Sequence, residues 1–186
     1  MKKMYKCRVC GYVLEREEPT DVCPACGVKG KIFEDYDSPL SRKRRKLLDL
    51  YIHAIMVHFP IAFVFSTFLL SLLISINIFK EPTVFTDIRN VIIWVLPFTA
   101  LSATAAGLYD GKLRFKRLNT PYLKKKLILA VFFILFSVSV LVIQEFFTLD
   151  KSTINIIILI FSFVLSGFAL LLGFIGGKLL EAKVRG

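Results

Sequence analysis

The sequence predicts two unlike parts: a small metal-bound β domain at the N-terminus, then an all-α bundle of four transmembrane helices. Three observations carry that prediction. The only four cysteines form two Cys-x-x-Cys doublets, Cys7/Cys10 and Cys23/Cys26, with twelve residues between them. Four apolar runs follow, each at least the roughly 20 residues that cross a bilayer as a helix. A cluster of five basic residues, Arg42 to Lys46, stands between the two parts.

Composition agrees. The chain has 186 residues, 55% of them hydrophobic, with a net charge of +11 and a mean hydropathy of +0.65. That is too apolar for an ordinary soluble domain. The charge is unevenly placed. Residues 1–37 hold seven basic and seven acidic side chains and are neutral. The Arg42–Lys46 cluster lies directly before an apolar run, where a basic cluster reads as membrane-surface contact and not as nucleic-acid binding.

Residues 1–37 form the metal-binding domain. Each doublet is followed by glycine, Gly11 and Gly27. Two such turns can aim four thiolates, from Cys7, Cys10, Cys23 and Cys26, at one tetrahedral metal, zinc or a single iron. In a reducing compartment these cysteines read as ligands and not as disulfides. A domain this small depends on its metal to fold. Tyr5, Tyr12 and Phe33 are expected to pack over the site.

The run Tyr5-Lys6-Cys7-x-x-Cys10-Gly11-Tyr12-Val13, with Cys23-Pro24-Ala25-Cys26-Gly27 and the closing Phe33-Glu34, resembles a rubredoxin-type domain in the short form found at the end of rubrerythrins. The resemblance implies a rubredoxin-like fold, one iron bound by the four cysteines, and one-electron transfer. Zinc ribbons share the ligand pattern. The alternative is therefore a zinc-ribbon-like structural or interaction module of a membrane assembly, without a redox role.

Residues 38–49 read as a basic juxtamembrane linker and 50–180 as the membrane domain, with helices at about 50–79, 88–109, 127–147 and 154–177. Residues 181–186 read as a tail. Leu47 to Phe79 is too long for one span, so its start is expected at the interface. Pro82 reads as a stop after the first helix, and Ser152 as a cap for the fourth. Ala103-x-x-x-Gly107, Ser162-x-x-x-Ser166 and Gly173-x-x-x-Gly177 read as close helix contacts.

Lys and Arg set the orientation. Seven lie between Asp110 and Lys126, five precede the first helix, and the tail holds Lys178, Lys183 and Arg185; the other two loops hold only Lys80, Arg89 and Lys151. The positive-inside rule then makes this a multi-pass protein of the cytoplasmic (inner) membrane, with both termini and the metal domain in the cytoplasm.

The only two histidines, His53 and His58, open the first membrane helix. Five residues apart, they point about 140° from one another and cannot share one metal. With Pro60 loosening the helix, His58 is expected inward and His53 near water. Intramembrane ionisable groups are functional candidates. His53 and His58 are therefore candidate contacts for a quinone head group or a haem b, with Gly107 and Asp110 as neighbours.

The pattern His53-x-x-x-x-His58-Phe59-Pro60-Ile61-Ala62, with Ala106-Gly107-Leu108-Tyr109-Asp110 and Gly176-Gly177-Lys178-Leu179-Leu180, resembles the membrane family named domain of unknown function 2231. The chain departs from that family in having Ala54, not proline, after the first histidine. No nucleophile–base pair, phosphate loop or carboxylate pair is evident. The whole reads as a membrane-anchored electron-transfer protein and not a stand-alone enzyme. It would pass electrons between a soluble redox partner and an acceptor in the lipid bilayer, as a monomer or homo-oligomer.

Overall fold

The fold is that of a computed structural model, which describes residues 3–37, 41–76, 78, 82–116, 120–146 and 150–181. It comprises two compact units that divide between Arg45 and Lys46.

The first unit is a three-stranded antiparallel sheet of β1 (Lys3–Cys7), β2 (Val13–Arg16) and β3 (Phe33–Asp35), in the order β2-β1-β3. Alternation along β1 sends Tyr5 and Cys7 to the buried face, where Leu14 of β2 joins them. Tyr5 pairs directly with Leu14 across the sheet, and its hydroxyl donates to the Glu17 carbonyl at 3.1 Å. Among the described residues, Tyr5, Leu14, Cys7 and Cys23 are the buried hydrophobic side chains of this unit. So few apolar groups leave the fold to its cysteines.

The rest of the described chain is helical, and α1 (Arg42–Leu48) straddles the division between the units. It ends at a break where Tyr51 adopts φ 50°, and α2 (Ile52–Ser75) starts afresh. The break resolves the overlong first segment: the 24 residues of α2 span about 36 Å at 1.5 Å each. α3 (Pro82–Phe115), α4 (Pro121–Phe146) and α5 (Lys151–Glu181) follow. Each runs past its apolar core into polar sequence, because helical hydrogen bonds continue where hydropathy stops. Pro82 is the first residue of α3, a place where its missing N–H costs nothing; it starts a helix and does not stop one. Asp150, not Ser152, caps α5. Its carboxylate accepts from the Thr153 N–H at 2.9 Å and the Thr153 hydroxyl at 2.7 Å. Residues 79–81 and 182–186, including Lys80, Lys183, Arg185 and Gly186, lie outside the described residues.

The four long helices form a closed ring: α2 packs on α3 and α5, and α4 packs on the same two. All four are long and apolar enough to cross a membrane, yet only 17–28% of each apolar window is buried inside the protein. The remaining apolar surface, including Phe98, Phe163 and Leu170, faces outward, as lipid requires and water does not tolerate. Inside, Val64, Ile93, Leu96, Phe133, Ile158 and Leu165 form the core. Ser162 and Ser166 are buried among them and return their hydroxyls to their own helix, at the Leu159 and Ser162 carbonyls. Gly173 and Gly177 behave otherwise: a Cβ at either would meet nothing within 4 Å. That motif lines open space in place of a tight helix contact.

Candidate metal centre and bundle cavity

The two cysteine turns are built alike. The Cys7 N–H donates to Tyr12 O at 2.8 Å, and the Gly11 N–H returns to Cys7 O at 2.9 Å. The Cys23 N–H donates to Val28 O at 3.0 Å, and the Gly27 N–H returns to Cys23 O at 2.8 Å. Each turn closes on a glycine in the left-handed region, Gly11 at φ 75° and Gly27 at φ 73°, where a side chain would be strained.

The turns bring all four Sγ atoms within 4.8 Å of one another. Cys10 and Cys23 are 3.7 Å apart, and Cys7 and Cys26 are 4.0 Å apart. A tetrahedron with metal–sulfur bonds of about 2.3 Å has S···S edges of about 3.8 Å, so the donor set fits one metal. Protonation points the same way. The Tyr12 N–H pulls the Cys10 thiol down, but desolvation and the Cys26, Cys7 and Cys23 sulfurs outweigh it and push it up to about 12. Burial pushes Cys23 up, but the Cys26 and Ala25 N–H groups and the adjacent thiols bring it down to about 7. Four thiolates this close need a cation among them. Cys7 and Cys23 are buried, whereas Cys10 and Cys26 are exposed. Tyr12 is 41% exposed.

Residues 5–34 match the family model of the rubredoxin-like domain of rubrerythrin. The first unit is thus a rubredoxin-like domain with a metal-binding cluster. The match covers the cysteine turns and the sheet, not the helices. No curated protein and no solved structure matches the chain.

The helical unit carries a second site. A cavity of about 410 Å³ opens among the helices at the end where α2 begins and α3 ends, lined by His53, Gly107, Asp110, Arg114, Lys126 and Gly173 among others. The volume is within the range of small-molecule sites. His53 donates from Nδ1 to Ala103 O at 3.2 Å, and its Nε2 accepts from Lys126 Nζ at 2.9 Å. The carbonyl fixes the tautomer, because only an N–H can meet it. Gly107 makes room for the ring: a Cβ there would stand 2.9 Å from His53 Cε1. Asp110 and Arg114 pair at 3.3 Å along α3.

The expected orientation of the histidines is reversed. His53 is half-buried and turned toward α3 and α4, whereas His58 is exposed and donates Nδ1–H to the Ala54 carbonyl of its own helix. Helical spacing allows only one of the two to face inward, and the small residues of α3 decide in favour of His53. His53 and His58 both border the cavity but do not come together. Gly107 and Asp110 do lie beside His53. Lys126 and Arg114 were legible only as positive charges next to the membrane.

A third cluster lies toward the opposite end. Arg89 is buried, and its Nη1 donates to Asn155 Oδ1 and to Ser71 Oγ at 3.4 Å. Asn155 in turn donates to Ser75 Oγ at 2.7 Å and Ser71 O at 3.3 Å.

Proposed function

We propose that this chain is a membrane-anchored one-electron carrier, with a single iron at Cys7, Cys10, Cys23 and Cys26. A lone iron held by four thiolates supplies exchange between ferric and ferrous states with little rearrangement of its ligands. The observation that carries the reading is the asymmetric exposure of the cluster. Cys7 and Cys23 anchor it inside, while Cys10 and Cys26 present two sulfurs at the surface.

Around those sulfurs, Val9 (61% exposed), Tyr12 and Val28 form an apolar rim. Such a rim suits a soluble redox partner that docks, excludes water and leaves. Backbone N–H groups aimed at Cys10 and Cys23 stabilise negative charge on sulfur and so favour the reduced, more anionic centre.

In the bilayer, the acceptor reading favours a quinone over haem b. Both ring nitrogens of His53 are engaged in hydrogen bonds, leaving neither for an axial bond to iron. The positive-inside distribution of Lys and Arg favours a cytoplasmic location for the rubredoxin-like domain and both termini.

The test is the metal. Protein purified from an iron-replete native host should be red, with thiolate-to-iron absorption that bleaches on reduction. Colourless, zinc-loaded protein from the same cells would replace the carrier with a structural module. A reporter fused after Gly186 should be active only in the cytoplasm.

A further inference from the structure

The end of the bundle that holds His53 is built unlike a packing core. Its cavity is apolar along most of its wall, yet His53, His58, Asp110, Arg114 and Lys126 also border it. Asp110 and Arg114 pair with each other at 3.3 Å. Two cations and one carboxylate leave an excess of positive charge. Lys126 holds one donor on His53 Nε2; among the described residues, Nζ has no other hydrogen-bond partner. An ammonium with donors to spare, half-buried beside an apolar cavity, costs free energy unless an acceptor oxygen meets it.

The wall of α5 supplies a second, independent feature. Gly173 and Gly177 border the cavity, and a Cβ on either meets nothing within 4 Å. Glycine lowers helix stability by about 1 kcal/mol relative to alanine, and here no close helix contact compensates. Keeping this wall bare leaves open space beside α5 at the cavity.

We propose that the cavity binds a long-chain amphiphile whose head-group oxygen accepts a hydrogen bond from Lys126, its tail lying along the bare face of α5. Lys126, and not the histidine pair, is the principal head-group contact. His53 is a positioning residue: with its Nδ1–H tied to Ala103 O, it offers Nε2 as a fixed acceptor that holds the ammonium in place. Two heads share this chemistry, a quinone carbonyl and a fatty-acid carboxylate. The quinone case rests on the proposed electron carrier; the site itself does not.

The full-length chain in lipid nanodiscs, titrated with decylubiquinone and separately with palmitate and read by native mass spectrometry, tests both. One decylubiquinone should bind per chain. Binding should weaken at least tenfold in Lys126→Met and be lost in Gly173→Leu, which fills open space without a clash, while Lys125→Met on the exposed face leaves it unchanged. Palmitate binding alone, with the same response to the variants, keeps the site and removes the quinone acceptor. If neither ligand binds saturably, or Gly173→Leu binds as the unaltered chain does, the proposal is overturned. Should Lys126→Met fail to fold, the Gly173→Leu result decides.

Discussion

Lys126 Nζ lies 2.9 Å from His53 Nε2 and joins α4 to α2, helices that face each other across the diagonal of the ring. This polar contact spans the space between opposite members at the head of the cavity, as the Arg89–Asn155 contact does between α3 and α5 toward the other end. Its geometry depends on Gly107, which admits the imidazole, and on Ala103 O, which fixes the tautomer.

Gly107→Ala should therefore act through His53 alone. The new Cβ would stand 2.9 Å from Cε1 and 3.1 Å from Nδ1, so the ring must shift and lose its carbonyl. Overpacking of this kind costs about 1–3 kcal/mol. In a His53→Ala background the same change should cost nothing further. A double-mutant cycle on thermal unfolding in detergent reads the coupling; additive effects would show that the ring and the glycine do not meet.

Arg89 and Asn155 support a second prediction. Asn155→Leu leaves a buried guanidinium without the amide oxygen that receives it and removes the amide donor to Ser71 O and Ser75 Oγ, which keep their bond to each other. Hydrogen bonds to charged groups contribute about 1.5–3 kcal/mol, so the single change should destabilise the bundle by about that amount. Arg89→Met combined with Asn155→Leu should recover much of the loss, since removing both partners of a buried polar pair is far less costly than removing one. A double variant as unstable as Asn155→Leu would mean that the pair itself contributes net stability.

The sequence made the cysteine centre legible and the cavity only partly so. The doublets are local: each turn closes through Cys7–Gly11 or Cys23–Gly27 hydrogen bonds within six residues, so spacing alone announces the geometry. The membrane helices announce themselves by length and hydropathy. His53 and Lys126 are 73 residues apart, and no periodicity connects them. Lys126 reads as one more positive charge beside a membrane until the ring closes. The inward face of α2 is hidden in the sequence for a related reason: Pro60 favours His58, but Ala103 and Gly107 on another helix choose His53. Arg89 was counted as a loop charge because the apolar run starts near it, whereas α3 begins seven residues earlier, at Pro82.

The cap of α5 gives a pH dependence with a definite sign. Hydrogen bonds from the Thr153 N–H and hydroxyl hold the Asp150 carboxyl below its ordinary value. A carboxyl depressed in the folded state adds stability that is complete above its unfolded value, about 3.9, and is lost as pH falls through the lower folded value. Asp150→Ala should lower the melting temperature at neutral pH, and the gap to the unaltered chain should close as the carboxyl protonates. Asp150→Asn, which can still cap the helix, should show a smaller gap at neutral pH. A gap independent of pH would assign the effect to helix propensity alone.

Metal removal should separate the two units. The sheet has Tyr5 and Leu14 as its buried apolar side chains beyond the cysteines, too little to offset the chain entropy of some 30 ordered residues at about 1–2 kcal/mol each. The free energy of metal binding is then the free energy of folding. The helices, by contrast, satisfy their backbone hydrogen bonds internally and have lipid around them. A strong chelator, or Cys7→Ser, should make residues 3–35 sensitive to protease while helical circular dichroism changes little. Acid should have the same effect, because protonated thiols release the metal. Loss of helical signal together with the metal would show instead that the rubredoxin-like domain and the bundle fold as one.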